Sequence, residues 1–409
     1  MHRALIVGAG VAGPLTAMAL QRAGIDAVVY EAYLPSTEEV GSYLTVAANG
    51  LDALRAVDAD RPVLAAGFPT PTNVLWSGTG RRLGATSNGG MLPDGTFPHT
   101  VKRARLYRVL QQEASARGIP FEFGKRLRGA AANPDGGVVA RFDDGSTATG
   151  DLLVGADGVH SVTRRLIDPA APTGRYVGLV NFGGYTHDAA VATEPGEWHM
   201  VFGRHAFFGH VVDPTGGAVW FANVPRPAVG DAERQATTAE QWQRQLVELF
   251  ASDRGPAAEL VAAGELELVA DNTNDLPQVP TWHRGPMVII GDAAHAPSPT
   301  SGQGASMAAE DAVVLAKCLR DLPDVPQALG AYEQLRRRRV ERIVRQGART
   351  GSAKTPGPVG RVLRDLLLPL VFRFLVTDKS QAWIYDHHVD WDGSAAPQPS
   401  QPGRTRPDW

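Results

Sequence analysis

The sequence predicts an α/β protein in which a helix-covered parallel sheet is interleaved with a second, antiparallel sheet. Short apolar runs at 4–7, 27–30 and 287–290, and a fourth that follows Asp151, are typical of parallel strands buried on both faces. From about residue 174 to residue 276 the pattern changes to β-rich runs separated by glycine and proline, which is typical of an antiparallel sheet. The later return of a buried apolar run indicates that the first sheet is completed only after the second has been inserted.

The order of the elements supports this division. The first strand, a helix at 11–23 that ends at Gly24, and the run at 27–30 form one βαβ unit. Helices at 49–57 and 106–117 precede alternating segments between 121 and 150, where Asp143-Asp-Gly145 predicts a hairpin turn. The antiparallel runs are predicted at 176–181, 199–202, 207–212 and 218–224, with one amphipathic helix at 239–252. Helices at 304–319 and 323–346 follow, and the charge run Arg336–Arg339 is predicted to form a solvated helix face.

Composition excludes several classes of protein. The 40 basic and 43 acidic residues give a net charge of −3, which leaves no basic surplus for binding nucleic acid. A lone cysteine, Cys318, excludes an intramolecular disulfide and a cysteine-based zinc site, and favours a cytoplasmic protein. We expect neither a signal peptide nor a membrane span. Glycine is abundant, with 45 of 409 residues, which indicates tight turns or backbone that closely approaches a ligand.

The first motif is a G-x-G-x-x-G loop between the first strand and the first helix. Its glycines are Gly8, Gly10 and Gly13, and Glu31 ends the next strand. Glycines here allow a pyrophosphate to approach the backbone, and the helix N-terminus favours its negative charge. A carboxylate at Glu31 can accept hydrogen bonds from an adenosine ribose and would repel a 2′-phosphate, so the loop suits FAD or NAD over NADP.

Two further loops follow predicted strands. One contains Gly155-Ala-Asp157-Gly158, Ser161 and Arg164, and the other begins Gly291-Asp292-Ala-Ala-His295 and continues through Pro299 and Gly302-Gln-Gly304 to Glu310-Asp311-Ala312. Loops at the carboxyl ends of parallel strands are where such sheets bind ligands. The three motifs in this order resemble the single-component FAD-dependent aromatic hydroxylases (class A flavoprotein monooxygenases, para-hydroxybenzoate hydroxylase-like). The resemblance extends from the first strand to about residue 350.

This resemblance implies a Rossmann-like FAD-binding domain with an interleaved antiparallel-sheet substrate domain and C-terminal helices. The implied FAD-binding segments are 1–70, 101–173 and 277–350, and the substrate-binding sheet comprises 71–100 and 174–276. A C-terminal helical segment at 351–392 and a disordered tail at 393–409 are expected from composition.

The resemblance also implies roles for individual residues. Asp292 would hydrogen-bond the ribityl chain, Asp157 would serve flavin and nicotinamide binding, and Pro299 would lie at the flavin edge where oxygen reacts. Arg103 is preferred over Arg105 as the arginine that reaches the cofactor. His295 is interpreted as a positioning residue. The implied cofactor-binding residues are Gly8, Gly10, Val11, Ala12, Gly13, Glu31, Arg103, Leu127, Asp157, Asp292, Gly302, Gly304 and Ala305.

The implied activity is a monooxygenase reaction that uses NADH or NADPH and molecular oxygen. Reduced FAD would form a C4a-hydroperoxide, which hydroxylates or epoxidises a small aromatic, polycyclic or polyene substrate. No second G-x-G-x-x-G motif is present, so the nicotinamide is expected to bind transiently. We expect a monomer or homodimer acting in secondary metabolism, xenobiotic modification or aromatic catabolism.

Some features leave alternatives open. Ala32 stands where many relatives have a basic residue after the ribose-binding acid, which puts one adenosine contact in doubt. The segment from Trp220 to Pro225 faintly resembles a halogenase signature, although Ala222 replaces its second tryptophan. A halogenase-like enzyme and a turnover-deficient flavin-binding partner therefore remain alternatives. Aromatic residues and four histidines (187, 199, 205 and 210) in the antiparallel region are candidates for a pocket and a base, and none is assigned.

Overall fold

The computed structural model describes residues 3–35, 41–134, 136–189, 191, 193–276, 278–352, 365–369, 371 and 377–395. Strands in chain order are β1 (Arg3–Val7), β2 (Asp26–Glu31), β3 (Tyr43–Val46), β4 (Phe68–Pro69), β5 (Thr72–Ser77), β6 (Arg82–Ser87), β7 (His99–Lys102), β8 (Phe121–Phe123), β9 (Leu127–Ala132), β10 (Val138–Phe142), β11 (Thr147–Gly150), β12 (Leu152–Gly155), β13 (Arg175–Thr186), β14 (Glu197–Phe202), β15 (Phe207–Val212), β16 (Ala218–Pro225), β17 (Glu265–Asp275), β18 (His283–Arg284) and β19 (Met287–Ile289). Helices in chain order are α1 (Ala12–Arg22), α2 (Ala48–Arg55), α3 (Asp60–Ala65), α4 (Arg103–Ala116), α5 (Val162–Ile167), α6 (Asp231–Ala236), α7 (Ala239–Phe250), α8 (Ala257–Ala263), α9 (Gly304–Asp321), α10 (Val325–Ser352) and α11 (Asp378–Tyr385).

The predicted parallel sheet has the order β18-β19-β12-β1-β2-β8. Strand β1 lies between β2 and β12 and is parallel to both, and only the short β18 runs antiparallel to its neighbour. Residues 4–7 of β1 are buried because α1 packs on one face of the strand, beside Ile6, and β11 packs on the other, beside Leu5, which explains why the run is continuously apolar. The carboxyl ends of β1, β12 and β19 therefore lie side by side, and each leads into one of the three motif loops.

The second sheet has the order β17-β13-β16-β15-β14-β5-β6, and its neighbouring strands are antiparallel except for β14 and β5, which are parallel. This parallel pair joins strands from before residue 100 to strands from after residue 174, and we keep the name antiparallel sheet for the whole. Side chains alternate between its two faces. Helices α7 and α8 cover one face and bury Phe182, Phe208, Trp220, Trp242 and Phe250. We call the other face the cleft face; it carries Trp198, Met200, Phe207, Val211, Val219 and Phe221.

The mixed α/β architecture is confirmed, with a parallel sheet and an antiparallel sheet built from interleaved segments. The exact domain boundaries stay a prediction. Among the described residues, no helix is both long and apolar enough to cross a membrane. Of the tail expected at 393–409, residues 396–409 lie outside the described residues. In the described part, the Gly393 carbonyl oxygen accepts a hydrogen bond from Arg320, and the Ala395 N–H donates to Asp321, both residues of α9.

One prediction about helix α10 is wrong. The run Arg336–Arg339 does not form a solvated face, because Arg336 is 1% exposed and its guanidinium pairs with Glu310 at 2.6 Å and with Asp311 at 2.7 Å. Arg339 also pairs with Glu310, at 2.7 Å. A charge run can be buried when the opposing charges lie on the facing helix, here α9, and the sequence of α10 alone does not show this.

Candidate active site

The three motif loops meet at the carboxyl edge of the parallel sheet. A Cβ atom on Gly8 would lie 2.4 Å from the carbonyl oxygen of Ala156 in the second loop. A Cβ atom on Gly291, in the third loop, would lie 3.2 Å from the Cβ atom of Ala12. Glycine is required at Gly8 for a second reason, since its φ of 105° is a conformation that other residues rarely adopt. The loops therefore form one continuous backbone surface.

The first loop leaves helix α1 open at its N-terminus. Val11 precedes α1 and offers no side-chain cap, and a Cβ atom on Gly13 would lie only 1.8 Å from the carbonyl oxygen of Gly8. The Glu31 carboxylate accepts a hydrogen bond from the Ala9 N–H at 2.7 Å, which holds the acid at the loop, and its contact with an adenosine ribose stays a prediction. Uncapped N–H groups and a glycine surface form a site for a pyrophosphate.

The third loop brings Asp292 to the start of helix α9. Gly304 is the first residue of α9, and a Cβ atom built on it would lie 3.9 Å from Asp292 Oδ1. Gly302 has a φ of 59°, and Gln303 provides no side-chain cap for α9. Pro299 begins the short 3-10 turn before Gly302 and is exposed. The N-terminus of α9 therefore presents free N–H groups and positive dipole charge beside a carboxylate.

His295 holds the third loop in place. Its Nε2 atom lies 2.5 Å from Asp311 Oδ2, and the same carboxylate oxygen accepts the Gly291 N–H at 2.9 Å. Both side chains are buried, and the His295 and Arg336 charges hold the pKa of Asp311 down at about 2 despite its burial. These contacts support the interpretation of His295 as a positioning residue.

The second loop is organised by Asp157 in a way that the sequence did not suggest. The Asp157 carboxylate accepts hydrogen bonds from Ser161 Oγ at 2.5 Å, from Thr163 Oγ1 at 3.0 Å, and from the N–H groups of Val162 and Thr163 at 2.8 and 2.9 Å. It therefore caps helix α5. A direct contact of Asp157 with flavin or nicotinamide stays a prediction.

Arg164 connects the second loop to the third. It is 1% exposed, and its guanidinium donates to the carbonyl oxygens of Val159 at 2.6 Å and Ala293 at 3.0 Å. Arg164 belongs to the second motif, and the sequence alone assigns it no role there. Its place in that motif is the feature of the sequence from which a role for Arg164 could have been predicted.

Arg103 and Arg105 differ in their surroundings. Arg103 begins helix α4, and its guanidinium donates to the hydroxyl of Tyr107. Tyr107, Asp292 and Asp271 together raise the pKa of Arg103, so its positive charge interacts with the carboxylates of both Asp292 and Asp271. Arg105 is exposed. This position agrees with the preference for Arg103, whose contact with the cofactor stays a prediction.

The remaining predicted residues take different positions. Gly10 and Ala305 lie in the first loop and in the first turn of α9, beside the surface already described. Leu127 lies at the start of β9, is 3% exposed and pairs with Phe142 of β10. It packs in the core below the first sheet, and its expected cofactor contact stays a prediction.

The cleft face of the antiparallel sheet is tied to this edge. The Trp198 indole donates to Thr100 Oγ1 of β7 at 2.9 Å, and Lys102 of β7 pairs with Glu267 of β17. Leu276 donates to the carbonyl oxygen of Ala296, so the end of β17 is hydrogen-bonded to the third loop. The cleft face thus packs against the β3-β7-β4 sheet, whose strand β7 leads directly into Arg103.

The structure also sorts the histidines of the antiparallel region. His199 and His210 stack at 5.1 Å on the face that α7 and α8 cover, and His210 is 2% exposed. Burial lowers the pKa of His210 to about 3, so it is neutral at pH 7. Neither histidine is placed to act as a base in the cleft.

The residues present fit FAD. A glycine cradle that any Cβ atom would fill lies at the open N-terminus of α1, and Asp292 lies at the open N-terminus of α9. Phosphates suit the first position, and a polyol chain next to an electron-accepting ring suits the second. Among the described residues no cluster of three metal-ligating side chains is present.

Comparisons with known proteins agree with this geometry. A family model described as "FAD binding domain" matches residues 1–347. An aurachin C monooxygenase/isomerase of Stigmatella aurantiaca is 30% identical over 350 residues, which is 85% of this chain and 88% of that protein. A FAD-dependent urate hydroxylase of Klebsiella pneumoniae is 32% identical over 349 residues, which is 84% of this chain and 88% of that protein.

A solved structure shows the same fold. Klebsiella pneumoniae HpxO, crystallised with FAD and uric acid, superposes with a TM-score of 0.80 and 27% sequence identity over 92% of this chain and 94% of that one. The glycine cradle, the two open helix N-termini and these likenesses lead to one assignment. The chain belongs to the FAD-binding-domain family of class A flavoprotein monooxygenases.

Proposed function

We propose that this FAD-dependent monooxygenase uses NADH or NADPH and O₂ to hydroxylate or epoxidise a small, flat aromatic or polyene molecule. The observation that carries the substrate class is the cleft face, where Tyr185, Met200 and Phe221 are partly exposed beside the buried Trp198, on a sheet whose strand β17 leads into a hydrogen bond with the third loop. Flat apolar ligands suit such a surface. When bound, FAD supplies the electron transfer and the activation of oxygen.

The protein's own part is to bind, orient and exclude water. The N–H groups at Gly304 and Ala305 and the positive end of α9 would stabilise negative charge on the flavin ring. Asp292 would hold the ribityl chain, and burial raises its pKa even though Arg103 lowers it in part. The exposed Pro299 would border the edge at which oxygen reacts. The aromatic residues of the cleft face would keep water from the reacting atoms.

The halogenase alternative receives no support from the segment that suggested it. Trp220 is 1% exposed on the helix-covered face, where its indole donates to Thr186 Oγ1 at 3.1 Å. It does not line the cleft. The intact loops around Asp292 and Gly304 likewise argue against a turnover-deficient partner protein. A cytoplasmic monomer or homodimer is part of the same proposal.

Isotope labelling tests the proposed reaction. FAD-loaded protein is incubated with NADH or NADPH under ¹⁸O₂ and a panel of phenols, indoles and polycyclic aromatics, and the products are analysed by mass spectrometry. We expect one ¹⁸O atom in a product, together with substrate-stimulated nicotinamide oxidation. If the protein binds flavin but yields no labelled product with any compound of the panel, the proposal is refuted. A product that forms only when chloride is present would favour the halogenase alternative.

A further inference from the structure

One acidic residue on the cleft face has no role in the site described so far. Asp271 of β17 is exposed and lies opposite Asn181 of β13, which in turn lies opposite Asn223 of β16. Asn223 Nδ2 donates to Asn181 Oδ1 at 2.7 Å, and the Asn181 side chain hydrogen-bonds Asp271. These three polar side chains form a row across an otherwise apolar and aromatic face.

A β-bulge turns Asp271 toward the cleft. Leu268 pairs with Gly183 and Asp271 pairs with Asn181, so two residues of β17 lie opposite the one residue of β13 between these pairs. The two residues, Val269 and Ala270, both pack toward the helix-covered face. Strict alternation from Leu268 would have placed Asp271 on that face as well. The extra residue moves it to the cleft face, as bulges beside active sites commonly do.

The bulge is strained and is held in place from outside the sheet. Ala270 is fully buried and has a φ of 50°, a conformation that costs a non-glycine residue about 1–3 kcal/mol. Arg234 Nη2 donates to the Ala270 carbonyl oxygen at 3.0 Å. Asn272 exchanges two hydrogen bonds of 2.9 Å with the backbone of Val229. Strain that neighbouring groups maintain in this way is typical of functional sites.

The charges around Asp271 connect it with the second and third loops. The charged and titratable groups that act on it are Arg103 from α4, Arg234 from α6 and His160 from the loop after β12. Arg103 also acts on Asp292, so it lies between the third loop and the row on the sheet. Although the Asp271 side chain reaches the surface, partial desolvation by the surrounding protein outweighs these groups and raises its pKa, which makes its carboxylate a better proton acceptor than an ordinary aspartate.

We propose that Asp271 contacts the substrate and accepts the proton of an aromatic hydroxyl or heteroaromatic N–H group, with the row of Asn181 and Asn223 fixing its orientation. This inference rests on the proposed monooxygenase function. In the step, the substrate O–H or N–H bond breaks and the proton moves to a carboxylate oxygen of Asp271. The electron pair stays on the substrate and makes the ring carbon more nucleophilic toward oxygen transfer. The preferred substrate class is therefore a flat arene with an acidic hydrogen-bond donor.

Ligand binding to the FAD-loaded protein tests this assignment without turnover. 1-Naphthol and 1-methoxynaphthalene are titrated while the flavin absorbance is followed, because the ether lacks only the donor. We expect the wild type to bind 1-naphthol at least tenfold more tightly than the ether, and Asp271→Asn to lose that preference while binding FAD normally. The matched control is Glu265→Gln, an exposed carboxylate on the same strand, which should keep the preference.

The outcomes separate this inference from the proposed function. Equal binding of the two arenes by the wild type, binding of neither, or an unchanged preference in Asp271→Asn would overturn the role of Asp271. Loss of the acidic limb in the pH profile of kcat/KM for 1-naphthol in Asp271→Asn, with its retention in Asp271→Glu, would support it. If binding of 1-naphthol is preferred and the preference depends on Asp271, but no product carries label from ¹⁸O₂, the result would contradict the proposed function and leave the role of Asp271 in binding intact.

Discussion

The buried cluster between α9 and α10 allows a quantitative prediction for Arg336→Leu. The substitution removes the guanidinium that pairs with Glu310 at 2.6 Å and with Asp311 at 2.7 Å, where all three side chains are at most 1% exposed. Glu310 still pairs with Arg339, and Asp311 still pairs with His295. The two buried carboxylates nevertheless lose the positive charge of Arg336 that lies between them. Breaking a buried ion pair in this way costs about 3–5 kcal/mol of unfolding free energy.

This cost can be converted into a change of melting temperature. With an unfolding entropy of about 2 cal/mol/K per residue over 409 residues, the Tm should fall by about 4–6 °C if the chain unfolds as one unit. Circular dichroism of the FAD-loaded and FAD-free proteins measures the change. The deficit should be largest at pH 8 and smaller at pH 5, since an unpaired buried carboxyl takes up a proton more readily as the pH falls.

Two further variants test whether charge is the cause. Arg336→Lys keeps the positive charge but loses the guanidinium that pairs with two carboxylates at once. It should reduce the unfolding free energy by less than half as much as Arg336→Leu does. Combining Arg336→Leu with Glu310→Gln should recover part of the loss, because it removes one of the uncompensated charges. A Tm within 1 °C of the wild type for Arg336→Leu, or a deficit that is independent of pH, would refute the reasoning.

Three other predictions concern the loops and the sheet. Gly13→Ala should raise the FAD dissociation constant, measured by fluorescence titration, at least tenfold, because its Cβ atom would lie 1.8 Å from a backbone oxygen. The control is Gly330→Ala, whose Cβ atom meets nothing within 4 Å and which should leave the dissociation constant unchanged. The pKa of His210 is about 3 in the folded state and about 6.5 in the unfolded state, so this histidine makes the wild type less stable as the pH falls. The loss from this histidine is about 2 kcal/mol of unfolding free energy at pH 5. His210→Phe should therefore make the unfolding free energy depend less on pH between pH 7 and pH 4. Arg103→Ala should weaken FAD binding about tenfold by the same titration, and Arg105→Ala should change it less than twofold.

Each of these has a contradicting result. Equal FAD affinity of the two glycine variants would show that the cradle tolerates a methyl group. An unchanged pH dependence after His210→Phe, measured by urea unfolding, would remove this histidine as a cause of acid destabilisation. A larger effect at Arg105 than at Arg103 would reverse the preference between the two arginines.

Much of the fold could be predicted because its signals are local. The buried parallel strands are marked by continuous apolar runs, and the loops are marked by glycines whose spacing reflects close backbone contact. The strand predicted at 207–212 agrees with the structure at both ends, and the helix at 304–319 is only two residues short. These features depend on the residues within one element.

The parts that could not be predicted depend on partners that are distant in sequence. The burial of Arg336 requires acids on α9, and the role of Arg164 requires the carbonyl oxygen of Ala293. The aromatic residues of the antiparallel region divide between core and cleft only once the strand register is known. Asp271 was missed for the same reason, since the bulge at Ala270 changes which face its side chain occupies.

The contacts of Arg339 set an order on the assembly of the protein. Its guanidinium pairs with Glu310 and also donates to the carbonyl oxygens of Trp383 and Ile384, at the end of α11. Glu310 accepts a hydrogen bond from Asn49, whose amide also donates to Gln303 in the third loop. During synthesis this chain of contacts cannot close until α11 has left the ribosome. The loop that precedes α9 therefore depends for its full support on residues that are synthesised after every strand of both sheets.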